Sequence, residues 1–199
     1  RNCLVGSEMC IRDSYRIGMG GAAVSSADTG AFSKGIELNA VQRSNPEMQK
    51  RVANAIRGMV ESNNNSIVSI HDHGAGGHLN CLSELVEEVG GEINLDMLPI
   101  GDPTLSDKEI IGNESQERMG LIINSNDLKL LNKIAERERA PIYEVGTITD
   151  DKRFTIKSKS KGNTPLDLSL DNFFGSSPLT VMNDNCLLYT SDAADDTLC

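Results

Sequence analysis

Residues 66–79 read SIVSIHDHGAGGHL. Their hydrophobic period changes halfway. Ser66 to Ile70 is a short β-branched run that predicts a buried strand. Gly74, Gly76 and Gly77 break it. Leu79, Leu82, Leu85, Val86 and Val89 then recur at helical spacing, and Gly90-Gly91 closes the helix. A strand that runs into a glycine turn and then a helix is the local unit of a layered α/β or α+β domain. Ligands usually sit at such strand ends.

Upstream, Asn45-Pro46-Glu47 opens another helix. Asn caps it, Pro suits the first helical position, and Glu favours the positive end of the helix dipole. Met48, Val52, Ile56, Met59 and Val60 mark its inner face, and residues 62–65 (SNNN) end it. Downstream, Glu92 to Leu95 and Met119 to Ile123 predict strands, with a helical turn at Ser106 to Ile111 between them. Ser125-Asn126 caps a helix whose inner stripe is Leu128, Leu131, Ile134 and Ala135. Pro141 to Thr149 and Arg153 to Lys157 predict a β-pair turning at Asp150-Asp151. Lys157 to Gly162 reads as a solvated loop and Leu166 to Phe174 as a last short helix. The sum is one layered domain, without a repeat of fixed period.

Composition excludes several functions. Of 199 residues, the formal net charge is −10, which argues against general nucleic-acid binding because phosphate backbones attract cationic surfaces. No apolar run approaches the roughly 18 residues of a membrane helix. No basic stretch leads into an apolar one, so nothing suggests secretion. The 5 cysteines fit neither a disulfide scaffold nor a zinc site, since no C-x2-C pair occurs. Cys3, Cys10, Cys186 and Cys199 crowd the two ends. Residues 1–14 and 186–199 lack period and cap, and are expected to be non-native, adapter-like segments. Residues 15–40 then form a Gly/Ala-rich border to a preceding half-domain, and 41–185 the α+β domain. Without the ends Cys81 stands alone, as suits a reduced cytoplasmic protein.

Three constellations could carry chemistry. All three histidines, His71, His73 and His78, flank Asp72 at the strand end. On a strand His71 and His73 share one face while Asp72 points the other way, so the set does not converge on zinc. A lone carboxylate at a strand end suits magnesium better, because that ion takes oxygen ligands and often bridges to phosphate. The plainer alternative makes Asp72 a turn residue and the histidines hydrogen-bonded packing. Gly18 to Ala23 satisfies a loose G-x-G-x-x-A pattern, but neither a preceding strand nor a following helix supports a dinucleotide site. Residues 113–118 (NESQER) are a dense polar stretch before a strand. Glu, Ser and Gln there offer acceptors and donors for a small polar ligand, as does Gln42; a solvated loop is the alternative.

Residues 40–51 (AVQRSNPEMQKR), 69–88 (SIHDHGAGGHLNCLSELVEE) and 113–121 (NESQERMGL), in this order, resemble phosphoribosylformylglycinamidine synthase, most closely its large single-chain form. The resemblance implies an α+β fold, a three-layer α/β/α unit like the C-terminal half of aminoimidazole ribonucleotide synthetase. It implies an ATP- and magnesium-dependent ligase of purine biosynthesis. That enzyme phosphorylates the amide oxygen of formylglycinamide ribonucleotide, and ammonia from glutamine then displaces the phosphate. Carried over by position, Gln42, Glu114, Ser115 and Gln116 bind the substrate and Asp72 binds Mg2+. The implied partners are the rest of the parent chain, including a glutaminase domain. The ATP loop and catalytic histidine of the family fall upstream of Tyr15, so no catalytic residue is expected here and the piece alone is expected to be inactive. His71 and His73 gain no role from the resemblance. The alternatives are a non-catalytic pairing half-domain and a His/Asp metal hydrolase.

Overall fold

A computed structural model describes residues 2–7 (backbone only), 46–63, 65–74, 76–112, 114 and 117–175. Its strands are β1 (Asn2–Ser7), β2 (Ile67–Asp72), β3 (Gly91–Asn94), β4 (Met119–Asn124), β5 (Ile142–Ile148), β6 (Arg153–Ser158) and β7 (Asn163–Ser169). They form one sheet in the order β2-β4-β1-β5-β3-β6-β7. Neighbours are antiparallel except β3 and β6, which run parallel. The helices are α1 (Pro46–Val60), α2 (Gly77–Leu85), α3 (Asp107–Gly112), α4 (Leu128–Glu138) and α5 (Leu170–Phe174).

Strand β4 shows how the layers are built. Leu121 and Ile123 join Met48, Ala55 and Met59 of α1 and Leu131 and Ile134 of α4 in one buried cluster. Ile122, pointing the other way, joins Cys81, Leu82 and Leu85 of α2 and Ile110 and Ile111 of α3 in another. A sheet buried on both faces reads as a continuous apolar run, and residues 121–123 do. Helices cover both faces, so the molecule is the expected three-layer α/β/α unit of the α+β class. α1 and α4 approach closely at Gly58, where an added Cβ would lie 2.9 Å from Ile134 Cγ2.

Four local expectations are revised. β2 is not a buried strand: it lies at the edge of the sheet, with Val68 56% and Ile70 39% exposed. The helix expected to reach Val89 stops at Leu85, and turns follow in which the N–H groups of Val89 and Gly90 both donate to Val86 O. β5 and β6 do not pair with each other, because β3 inserts between them. Gly146 permits that insertion, since a Cβ there would fall 2.2 Å from Glu92 O. Residues 163–169 are strand β7, and only 170–174 are helical. Pro165 is tolerated because β7 is the other edge, where no second ladder needs its missing N–H. Asn2–Ser7, within the segment 1–14 expected to be non-native and adapter-like, is strand β1 between β4 and β5.

Candidate functional site

The register of β2 on β4 sets the site. Asp72 pairs with Met119 and His71 with Gly120, so the carboxyl end of β2 lies beside the amino end of β4. His73 and Gly74 therefore meet Glu117 and Arg118 at one end of the sheet. Alternation sends the side chains of His71 and Asp72 to opposite faces, as their spacing requires. The His71 ring reaches Glu84 on α2, and Cys81 Sγ donates to His71 O at 3.5 Å. Asp72 faces the α1 side, where a cavity of about 600 Å³ opens.

That cavity has an apolar floor and a charged end. Val52 and Ile56 of α1, Ile70 and Met119 line the floor. Asp72, Glu117 and Arg118 stand at the charged end, with Gln49 and Arg57 on the α1 wall. The Asp72 side chain is 75% exposed, whereas Arg118 is 2% exposed. Glu117 holds φ +68, a left-handed conformation rare outside glycine, just where the loop turns into β4.

The histidines do not gather around a common point. His73 Nε2 and His78 Nδ1 hydrogen-bond to each other at 2.8 Å, while His71 is turned to Glu84. Burial pushes the His73 imidazole down to about 3, with the Arg118 charge acting the same way. Burial, then His73 and Arg118, also lowers His78 well below its ordinary value. Both rings are neutral near pH 7, so one ring nitrogen donates and the other accepts. Among the described residues no group of three His, Cys, Asp or Glu side chains is placed to hold a metal. A histidine-built hydrolase site lacks its geometry.

Of the expected substrate and metal residues, Asp72 lines the cavity, whereas Glu114 is buried, at 5% exposed, and does not line it. Gln42, Ser115 and Gln116 lie outside the described residues. Arg118 and the α1 wall were not singled out from sequence. An arginine directly before an apolar strand was the available signal for Arg118, and no pattern within α1 separates Gln49 and Arg57 from an ordinary solvated face. As a magnesium site the donor set fits. Asp72 offers an accessible hard oxygen at the cavity, and Mg2+ commonly takes one or two carboxylates and keeps its remaining waters or phosphates.

Comparison with known proteins places the chain in a family and a fold. The model of the family "AIR synthase related protein, C-terminal domain" matches residues 3–159. Phosphoribosylformylglycinamidine synthase of Dictyostelium discoideum is 44% identical over 162 residues, covering 79% of this chain and 12% of that protein. The probable phosphoribosylformylglycinamidine synthase, chloroplastic/mitochondrial, of Arabidopsis thaliana is 34% identical over 194 residues, covering 92% of this chain and 14% of that one. The chain thus spans about one-eighth of the length of these curated relatives. Among solved structures, T. maritima PurL complexed with FGAR superposes with a TM-score of 0.76 at 22% identity, over 93% of this chain and 30% of that one. The fold agrees, and the resemblance drawn from the three motifs is borne out by the curated relatives. The chain belongs to the family of AIR synthase related proteins, as their C-terminal domain.

Proposed function

We propose that this chain supplies part of the substrate and metal site of a phosphoribosylformylglycinamidine synthase. The reaction is an ATP-dependent ligation in which the amide oxygen of formylglycinamide ribonucleotide is phosphorylated and ammonia displaces the phosphate. The ammonia comes from glutamine, hydrolysed in a glutaminase domain of the parent protein. The observation that carries this reading is the meeting of Asp72 with Glu117 and Arg118 at one cavity, in a chain 44% identical over 162 residues to the D. discoideum synthase. PurL of T. maritima, which shares the fold, is known in complexes with FGAR and with ATP, and this supports the same ligands here.

In this reading Asp72 holds Mg2+, and Gln42, Glu114, Ser115 and Gln116 bind the ribonucleotide. The bound ion offsets phosphate charge. The residues of this chain bind and orient: the apolar floor excludes water, and the buried Arg118 adds a fixed positive charge at the polar end. The other partners are the remaining domains of the parent; neither nucleic acid nor membrane is involved. No described helix is long and apolar enough to cross a membrane. A reducing compartment, the cytoplasm in our reading, suits the free and buried Cys81.

Calorimetric titration with formylglycinamide ribonucleotide, with and without Mg2+, tests the proposal. Binding should strengthen with Mg2+, and Asp72→Asn should remove most of that gain. Gln42→Ala should weaken binding about tenfold whether or not Mg2+ is present, the loss of one or two hydrogen bonds. Binding indifferent to Mg2+ and to both substitutions would refute the shared site. A non-catalytic pairing half-domain would be the better description in that case.

A further inference from the structure

We propose that the buried His73–His78 pair is a positioning device, which closes the glycine turn after Asp72 and so fixes where that carboxylate projects into the cavity. The inference rests on the reading of Asp72 as a magnesium ligand.

Gly74-Ala75-Gly76-Gly77 leaves the chain little means of holding itself. Gly76 and Gly77 adopt φ +81 and +61, and glycines lose the most conformational freedom on ordering. Among the described residues one backbone bond spans the turn, from Gly77 N–H to Gly74 O at 3.1 Å. The imidazoles supply a second tie. His73 stands directly before the turn and His78 directly after it, and their ring nitrogens meet at 2.8 Å. The rings are edge to face, with centroids 4.7 Å apart and planes at 86°. Each residue is 4% exposed, so water does not compete for the bond.

The tie is anchored on both sides of Asp72. His73 N–H donates to Arg118 O at 3.0 Å, fixing the turn to the loop that enters β4. His71 Nδ1 lies 2.8 Å from the main-chain oxygen of Asp72, and its ring also reaches Glu84 on α2. Asp72 is thereby held through its neighbours, and its carboxylate, with Oδ1 3.8 Å from His71 Nδ1, is still 75% exposed at the cavity. Two apolar side chains would fill the same space without a directional bond. What the pair adds over such packing is angular definition of the turn.

The test uses the full chain, with Mg2+ alone as the titrant and amide hydrogen exchange of residues 74–78 as a second readout. His73→Leu should speed exchange across the turn and weaken Mg2+ binding about tenfold, the scale of outer-shell effects on metal sites. His73→Gln, whose amide can still donate to His78, should recover most of both. His73→Leu with His78→Leu removes both polar partners, so thermal stability should return while Mg2+ affinity stays low. Wild-type affinity and wild-type exchange in His73→Leu would overturn the proposal, as would a double variant in which affinity recovers with stability. Should His73→Leu fail to fold, the same decision falls to His73→Gln against the double variant. Mg2+ affinity unchanged in Asp72→Asn would refute the metal reading itself. The clamp's hold on the turn would then still be decided by exchange, and its role at a metal site would be refuted.

Discussion

Single atoms decide how tightly α2 lies on the sheet. A Cβ added at Gly120 would stand 2.7 Å from both Cys81 Sγ and Leu85 Cδ1, too close for either to remain in place. Gly120→Ala should therefore push α2 outward and cost about 1–3 kcal/mol, the usual penalty for overpacking. Urea unfolding reads this directly, and a midpoint equal to wild type would contradict the close contact. On the other side of that contact, burial pushes the Cys81 thiol up to about 12. At pH 8 Cys81 should resist iodoacetamide in the folded protein and react readily in denaturant, as followed by mass spectrometry of its peptide. Equal labelling in both states would place the thiol at the surface. The residue scale is also where sequence reading was weakest. The place of Asp72 at a strand end was legible because the glycines that follow it stop the strand. The His73–His78 bond was not, since two rings five positions apart meet only once the turn has its left-handed glycines.

Elements with a complete local signature were legible, and those defined by distant partners were not. Asn45-Pro46-Glu47 and an apolar stripe sufficed for α1, whose helix begins at Pro46. The β5–β6 pairing failed for the opposite reason: nothing within residues 141–157 announces that β3, some fifty residues earlier, lies between them. Leu166, Leu170 and Phe174 recur every four residues as in one helix, yet 166 sits in strand β7 and only 170 and 174 in α5. Of the KSKSKG segment, Lys157 and Ser158 finish β6 and residues 159–162 make the turn into β7, tied down by an acid outside it. Asp96, in the turn after β3, accepts from Ser158 Oγ, Ser160 N–H and Ser160 Oγ, each at 2.8 Å. These bonds, led by the Ser160 N–H, hold its carboxyl at about 2, below the ordinary 3.8. A lowered carboxyl pKa stabilises the folded state above the unfolded value, and the contribution is lost as pH falls through the folded one. Wild-type stability should thus decline between about pH 4 and pH 2 more steeply than that of Asp96→Asn, in urea melts across this window. Parallel pH profiles would remove Asp96 from the account.

At the scale of the whole molecule, two hydrophobic clusters share one sheet, and this makes their stabilities inseparable. Leu121, Ile122 and Ile123 are 1%, 4% and 0% exposed, and they alternate between the two clusters. Water admitted on the α1 side would wet the backbone of β4, whose opposite face is the floor beneath α2 and α3. No described linker separates the two sides into units that could melt in turn. Met59, fully buried under α1, and Phe154, fully buried on the far side, therefore report on one equilibrium. Met59→Ala should cost about 2–5 kcal/mol and Phe154→Ala about 3–5 kcal/mol, by lost transfer energy and residual cavity. Both should shift a single urea transition without changing its slope, because the surface exposed on unfolding is the same in each. The sharper measurement is native-state hydrogen exchange in α3, which Met59 does not touch. If the sheet couples the layers, Met59→Ala speeds globally limited exchange in α3 as much as in α1. Acceleration confined to α1 and α4, or a second unfolding transition, would mean that the layers are separate cooperative units. The cavity between α1 and β4 could then open without loosening the fold behind it, and ligand binding at Asp72 would protect only half the molecule.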